Sequence, residues 1–237
     1  MIQARGIEKR YGAFTAVHSM DLDVRDGEVF GFLGLNGAGK TTTLRMLAGV
    51  LPPTAGTIAI DGKDLHKDPV EARRVLGFIP DRPYLYDKLT AREYLNFIGE
   101  IYGMPRALLS ERLVAVLQMH ALLPQADALV ESFSHGMKQR LVLAGALLHE
   151  PRLLIVDEPM VGLDPSGAKQ IKRTFREFVA AGRTVFLSTH TLEVAAEICD
   201  RIAIIHGGRI AALGTPAEVC GGRSLEDVFM TITGSPL

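Results

Sequence analysis

One run of residues constrains this chain of 237 more than any other: Gly34-Leu-Asn-Gly-Ala-Gly39-Lys40-Thr41. It fits the pattern G-x-x-x-x-G-K-[ST] and lies between a predicted strand and a predicted helix, where that pattern has a physical meaning. Before it, Glu28 to Leu33 is a short apolar run bounded by Gly27 and Gly34. After it, Leu44, Leu47 and Leu51 recur at helical spacing until Pro52-Pro53. The glycines let the backbone wrap tightly, so that successive N–H groups and the helix N-terminus face one anion. Lys40 then reaches the β- and γ-phosphates of a nucleotide, and the Thr41 hydroxyl ligates Mg2+. Gly34, Leu35, Asn36, Gly37, Ala38, Gly39, Lys40, Thr41 and Thr42 are the candidate nucleotide-binding residues. A Gly-rich turn before an ordinary helix is the bland alternative. The pattern arises by chance in roughly one chain per hundred, and its strand–loop–helix context lowers that further.

Two more apolar runs end in residues suited to phosphate chemistry. Leu153-Leu-Ile-Val156 reads as a buried strand leading into Asp157 and Glu158. Asp157 can hold Mg2+ directly or through water, and Glu158 can orient or deprotonate an attacking water. Thr184 to Thr189 ends in His190, a candidate γ-phosphate contact and catalytic residue. The helical stretch Pro165 to Ala181 joins these two runs, a βαβ pattern that demands parallel pairing. In open parallel sheets, ligands bind at the carboxyl tips of the strands. A single acidic turn, or a single histidine after a strand, would be ordinary loop chemistry; convergence with the phosphate loop is the argument for function.

Elsewhere, Leu76 to Ile79 is a further short strand stopped by Pro80, and Thr57 to Asp61 alternates like an antiparallel strand. Ile202 to Ile205, Gly207-Gly208 and Ile210 to Leu213 form a hairpin, after a helix from about Thr191 to Cys199. Leu225 to Phe229 is a short amphipathic piece. From 81 to 150 the periodicity is helical: Thr90-Ala-Arg-Glu93 is a capping box opening a helix through Tyr102. Ser110 opens a second helix, with Leu113, Val116 and Leu117 on one face. Ser134 opens a third, with Met137, Leu141, Ala144 and Leu148 on one face. This segment reads as a helical insertion in an α/β core.

Composition narrows the class. At roughly 150 residues per domain the length suits one large domain or a core with an insertion. A hydrophobic content of 47% excludes a disordered chain. With 26 Lys+Arg against 27 Asp+Glu, no whole-molecule field draws in nucleic acid. The longest apolar run, Leu141 to Leu148, falls far short of the roughly 20 residues that span a bilayer. The N-terminus lacks the apolar segment of a secretory signal, and Cys199 and Cys220 make neither a disulfide framework nor a zinc motif. These features predict a soluble, cytoplasmic protein, although its mean hydropathy is slightly positive.

Phe133-Ser134-His135-Gly136-Met137-Lys138-Gln139-Arg140 is a second anion-suited helix start, capped by Ser134. In this order and spacing, the motifs resemble the ATP-binding subunit of ABC transporters over nearly the whole chain. The resemblance implies an α/β fold: a P-loop NTPase core with a mostly parallel central sheet, an N-terminal antiparallel β part and an inserted helical subdomain. The core would be 1–80 and 151–215, the insertion 81–150, and 216–237 a short C-terminal extension. Ser134 to Met137 matches the signature motif, with His135 for its first Gly and Met137 for its Gln. By resemblance, Ser134, Gly136 and Met137 meet the γ-phosphate of ATP held by a second ATPase subunit, identical or homologous, in a head-to-tail pair. Gly162-Leu163-Asp164 resembles the D-loop of that interface.

Tyr11 looks like the aromatic residue that stacks on adenine, although a core or surface Tyr fits its position equally well. Asp81, in Phe78-Ile-Pro-Asp81-Arg-Pro, stands where the family carries Gln, and as a metal contact it suits water-mediated approach to Mg2+. Met-Lys-Gln-Arg and the tail Ser224-Leu-Glu-Asp-Val-Phe229 resemble the branch that exports drugs, polysaccharides or lipids. The implied protein hydrolyses ATP to power a separate transmembrane permease subunit, at the inner face of the cell membrane.

A soluble ABC-type ATPase without a transporter is the rival reading. Against it, no sustained heptads lie between Lys40 and Asp157, and the chain carries one ATPase unit. A regulatory subunit that does not turn over is a third possibility, disfavoured by Glu158. Tyr84, Leu85 and Tyr86 lie outside any clear helix and are predicted to form an exposed apolar patch for the membrane partner, while Tyr94 and Phe97 are predicted to pack inside the insertion.

Overall fold

The computed structural model describes residues 1–81 and 84–234. Arg82 and Pro83, which end the stretch containing Asp81, and the last residues of the C-terminal extension lie outside the described residues.

Three apolar runs become the central strands, β3 (Val29–Leu33), β7 (Leu153–Asp157) and β8 (Thr184–Thr189), each buried along its whole length. Burial on both faces explains why they read as continuous rather than alternating hydrophobic runs. Their side chains still alternate in space, and they divide between two cores. Phe30, Phe32, Leu153, Ile155 and Phe186 face one core. Val29, Leu33, Leu154, Val156, Val185 and Leu187 face the other. With β6 (Leu76–Ile79), β9 (Arg201–His206) and β10 (Arg209–Gly214), these strands form a six-stranded sheet in the order β10-β9-β3-β8-β7-β6. All its pairings are parallel except β9 with β10, the predicted hairpin.

A second sheet covers one face. It is antiparallel, in the order β2-β1-β4-β5, from β1 (Ile2–Tyr11), β2 (Phe14–Val24), β4 (Ala55–Ile60) and β5 (Lys63–Asp64). Ile2, Ile7, Leu22 and Ile58 meet the first core, together with Leu44 and Leu47 of helix α1 (Lys40–Leu47). This helix stops at Leu47 instead of running on to Leu51. Gly49 takes the left-handed conformation at φ +69°, and the Val50 N–H returns 3.0 Å to the Arg45 carbonyl, closing the helix end before the prolines are reached.

Helices cover the opposite face. The insertion supplies α3 (Ala91–Ile101), α4 (Arg106–Met119) and α5 (His135–Leu147), the last two joined through 3₁₀ turns at Leu123–Gln125 and Val130–Ser132. A short helix α2 (Pro69–Arg74) precedes β6. The Thr90 capping box forms in both directions, with Glu93 N–H 3.1 Å from Thr90 Oγ1 and Thr90 N–H 2.8 Å from Glu93 Oε2. Helix α4 does not open at Ser110. It starts at Arg106, where the Pro105 carbonyl accepts the Leu109 N–H at 2.8 Å, and Leu109 joins Leu113, Val116 and Leu117 on the buried face.

The remaining helices are α6 (Pro165–Ala180), α7 (Leu192–Ile198), α8 (Pro216–Cys220) and α9 (Leu225–Thr233). Leu225, Val228 and Phe229 of the C-terminal extension are buried in the same core as the insertion's apolar faces. Among the described residues no helix is long and apolar enough to cross a membrane.

Candidate functional site

The parallel pairing sets the tips of β3, β8 and β7 side by side, and each carries a polar residue into one cleft. After Leu33 the chain turns through 34–39 and enters α1 at Lys40. Gly39 sits at φ +106°, and a Cβ there would stand 2.8 Å from the Ala16 carbonyl, so only glycine fits the last bend of the loop. Lys40 is 6% exposed. Its Nζ donates to the Gly34 carbonyl at 2.7 Å and the Leu35 carbonyl at 3.3 Å, and lies 3.4 Å from Glu158 Oε1.

Glu158 occupies a backbone conformation rare for a side-chain-bearing residue, φ +50°. It is fixed there by its N–H, which lies 3.2 Å from the Ser188 carbonyl and 3.3 Å from Ser188 Oγ. The His190 N–H donates to Glu158 Oε2 at 3.3 Å. His190 Nδ1 lies 2.9 Å from Oε1, out of line for a hydrogen bond. Next to it, the Asp157 carboxylate is almost fully buried. Oδ1 accepts from the Ser188 hydroxyl, and Oδ2 has no hydrogen-bond partner among the described residues.

A buried carboxylate oxygen without a donor is costly unless a cation or a ligand completes it. That orphan fits a divalent ion. Mg2+ commonly keeps several waters and takes only one or two carboxylates together with substrate phosphates. Such a site needs no cage, and no group of three or more His, Cys, Asp or Glu side chains poised for a metal occurs among the described residues. Ser188 was not singled out in the sequence. The available signal was a hydroxyl directly after the apolar Val185-Phe-Leu187 run, in register with Asp157.

The cleft encloses about 750 Å³. The glycine-rich loop and helix-start residues Leu35, Asn36, Gly37, Gly39, Lys40, Thr41 and Thr42 line it, together with Glu158, His190 and Asp81. Tyr11 and Phe14 face each other across the β1–β2 turn at the same cleft, both exposed. Phe14 escaped the sequence reading because a lone aromatic beside a glycine turn carries no periodic signal. It is as well placed for stacking as Tyr11, whose ring has Lys9 Nζ 5.4 Å from its centroid.

Ser134 and Gly136 are not brought to this cleft. They line a second one, about 490 Å³, between α5 and α6. Ser134 Oγ accepts the Met137 N–H at 3.3 Å, an N-cap, and the Met137 side chain packs against the core, away from either cleft. Nearby, His120 is fully buried. Burial, reinforced by the charge of Arg140, pushes its imidazole down to about 4.

An unfolded histidine takes up its proton near 6.5, whereas the fold accepts it only near 4. The neutral ring therefore contributes stability that is complete above about 6.5 and lost as the pH falls toward 4. Urea midpoints should fall on acidification across this window, and fall less steeply in His120→Gln, where nothing at 120 titrates. Equal slopes in the two proteins would remove His120 from the account.

The aromatic patch differs from its prediction in two residues. Tyr84 is 82% exposed, but Leu85 is 9% exposed and turns into the core. Phe97, predicted inside, is 40% exposed. The reason is an edge-to-face ladder: Tyr84 meets Tyr86 and Tyr86 meets Phe97, each with ring centroids 5.6 Å apart. Tyr94 is buried as predicted.

Comparison with known proteins agrees with this geometry. The family model described as ABC transporter matches residues 17–161. The Nod factor export ATP-binding protein I of Paraburkholderia xenovorans (strain LB400) is 42% identical over 231 residues, covering 98% of this chain and 76% of that protein. A solved ATP-binding subunit of an ABC transporter superposes with a TM-score of 0.91 at 34% identity, covering 98% of this chain and 99% of the other. A dimeric ATP-binding cassette in a post-hydrolysis state, bound to ADP and Pi, superposes with a TM-score of 0.81 at 25% identity, covering 91% and 98% respectively.

Proposed function

The chain belongs to the ABC transporter family, and on that premise we propose that it is the ATP-binding and ATP-hydrolysing subunit that powers a separate transmembrane permease, in the direction of export. The observation that carries the reading is the convergence of Lys40, Glu158, His190 and the unpaired Asp157 oxygen at three adjacent strand tips. An ATPase without a transporter is disfavoured by the export relative. Phosphate release by the purified full-length chain on addition of ATP and Mg2+, abolished by EDTA, tests it. A chain that releases none would refute it.

The chemistry follows from this chain's own groups. Lys40, drawn from the Gly34 and Leu35 carbonyls, holds the β- and γ-phosphates within the amides of 34–39. Thr41 and Asp157 would hold Mg2+, with Asp81 reaching it through water, and the ion would supply neutralisation of charge on the phosphate oxygens. His190 fixes the Glu158 carboxylate, which orients a water and takes its proton at Oε1 or Oε2. Tyr11 and Phe14 offer ring faces to the base.

Ser134 and Gly136 serve a second copy, or a homologous ATPase chain, rather than their own nucleotide. Their separation from the Lys40 cleft supports that assignment. So does Gly136, where a Cβ would meet nothing within 4 Å among the described residues. Glycine there answers to something that approaches from outside. The working unit is then a pair with two shared sites, in which the insertion 81–150 moves against the core of 1–80 and 151–215. Such a protein would be cytoplasmic and held peripherally at the inner face of the membrane by its permease.

The Tyr84–Tyr86–Phe97 ladder, beside the Asp81 segment, is the surface offered to the permease. Tyr84→Ser combined with Tyr86→Ser should abolish co-purification with the transmembrane subunit from detergent-solubilised membranes and leave nucleotide binding unchanged. Intact co-purification would assign the docking face elsewhere.

A further inference from the structure

Residue 135 is the position where the family's signature carries glycine and this chain carries histidine. The extra ring has a definite place. A Cβ built on Gly162 would lie 3.0 Å from His135 Nε2, and its three nearest atoms all belong to the His135 ring. His135 lines the nucleotide cleft, the cleft between α5 and α6, and the groove beneath Tyr84, so it stands where the three meet.

What it faces is the turn that begins at Glu158. That segment is anchored at its start by the Glu158 N–H on Ser188. At its end it is anchored by Asp164, whose Oδ1 accepts the Gly167 N–H at 2.8 Å to cap α6. Between these anchors its backbone makes two long local bonds, Val161 N–H to the Glu158 carbonyl and Leu163 N–H to the Met160 carbonyl, each 3.3 Å, while Met160 and Leu163 pack against the core. Gly162 lies within this stretch and faces the imidazole.

We propose that His135 is a positioning residue for ATP hydrolysis: its ring braces the Glu158–Asp164 turn from the first residue of α5 and ties the placement of the Glu158 carboxylate to the position of the signature helix. The proposal rests on Glu158 being the hydrolytic base. A brace of this kind acts on the chemical step: although His135 borders the nucleotide cleft, it faces the turn at Gly162 and makes no hydrogen bond to residues 34–41. Small displacements of a catalytic group are expensive in rate, up to about a hundredfold for 1 Å.

The test is a double-mutant cycle on the full-length chain, read as kcat and KM for ATP. His135→Ala should lower kcat about three- to tenfold with KM changed less than about twofold. His135→Gln, which keeps a planar polar end of similar reach, should recover at least half of that loss. Gly162→Ala intrudes on the ring at its left-handed backbone. It should cost less in the His135→Ala background than in the wild type, which is the coupling a direct contact requires. Additive effects, a loss carried by KM alone, or an unchanged kcat in His135→Ala would overturn the brace. If instead Glu158→Gln retained full turnover, the reading of the base would fail, and this outcome is separable from the others.

Discussion

Glu158→Gln should bind ATP as well as the wild type and hydrolyse it about 10²- to 10⁴-fold more slowly, the range spanned by loss of a positioned general base. The substitution keeps the reach and shape of the side chain, so the φ +50° turn, the bonds to Ser188 and the neighbouring His190 all have reason to persist. What disappears is the oxygen that can take a proton from water.

The competing role for Glu158 is as counter-ion to Lys40, 3.4 Å away. That role predicts the opposite pattern. Removing the carboxylate's charge would free the ammonium for phosphate, tighten ATP binding and leave turnover nearly intact. Equilibrium binding of a fluorescent ATP analogue and steady-state phosphate release, measured on the same preparation, separate the two. Unchanged turnover would end the catalytic assignment.

The parts of this site that were legible in sequence are those fixed by short-range chemistry. Gly39 and Lys40 declare themselves because a tight loop and a helix start are built from neighbours in the chain. Asp157, Glu158 and His190 declare themselves because doubly buried strands read as unbroken apolar runs, so their polar ends are conspicuous. The Thr90 and Ser134 caps are local for the same reason.

What was hidden depended on register or on distance along the chain. Strands β1 and β2 do not announce themselves individually, since register shifts between Ala4 and Ile7, and again between Ile7 and Lys9, break the alternation a strand should show. Ser110 resembles a helix start, yet Pro105 had already opened the helix. Leu85 and Phe97 exchange their predicted environments because the exposed ladder is assembled by ring contacts between residues on different elements. The approach of His135 to Gly162 is of the same kind, a contact no local pattern encodes.

Lys40→Ala should weaken ATP binding about 10- to 150-fold, the equivalent of about 1.5–3 kcal/mol for lost hydrogen bonds to a charged group. The ammonium is buried among two carbonyls and a carboxylate, and no other Lys or Arg lines the nucleotide cleft among the described residues, so no second permanent positive charge substitutes for it. Ser134→Ala should behave differently. It removes a helix cap, at about 1 kcal/mol of fold stability, from a residue that does not line the nucleotide cleft. Affinity of the single chain for ATP should therefore hold while turnover falls.

Mixing the two impaired variants makes the stronger test. If each working site combines Lys40 of one chain with Ser134 of the other, a mixed pair carries both defects in one site and neither in its second. The mixture should then hydrolyse ATP faster than the mean of the two variants alone. If Lys40 and Ser134 served the same nucleotide within one chain, every site in the mixture would be defective and the rate would equal that mean. Complementation therefore distinguishes a site shared between chains from one contained within a chain, without knowledge of the permease or its cargo.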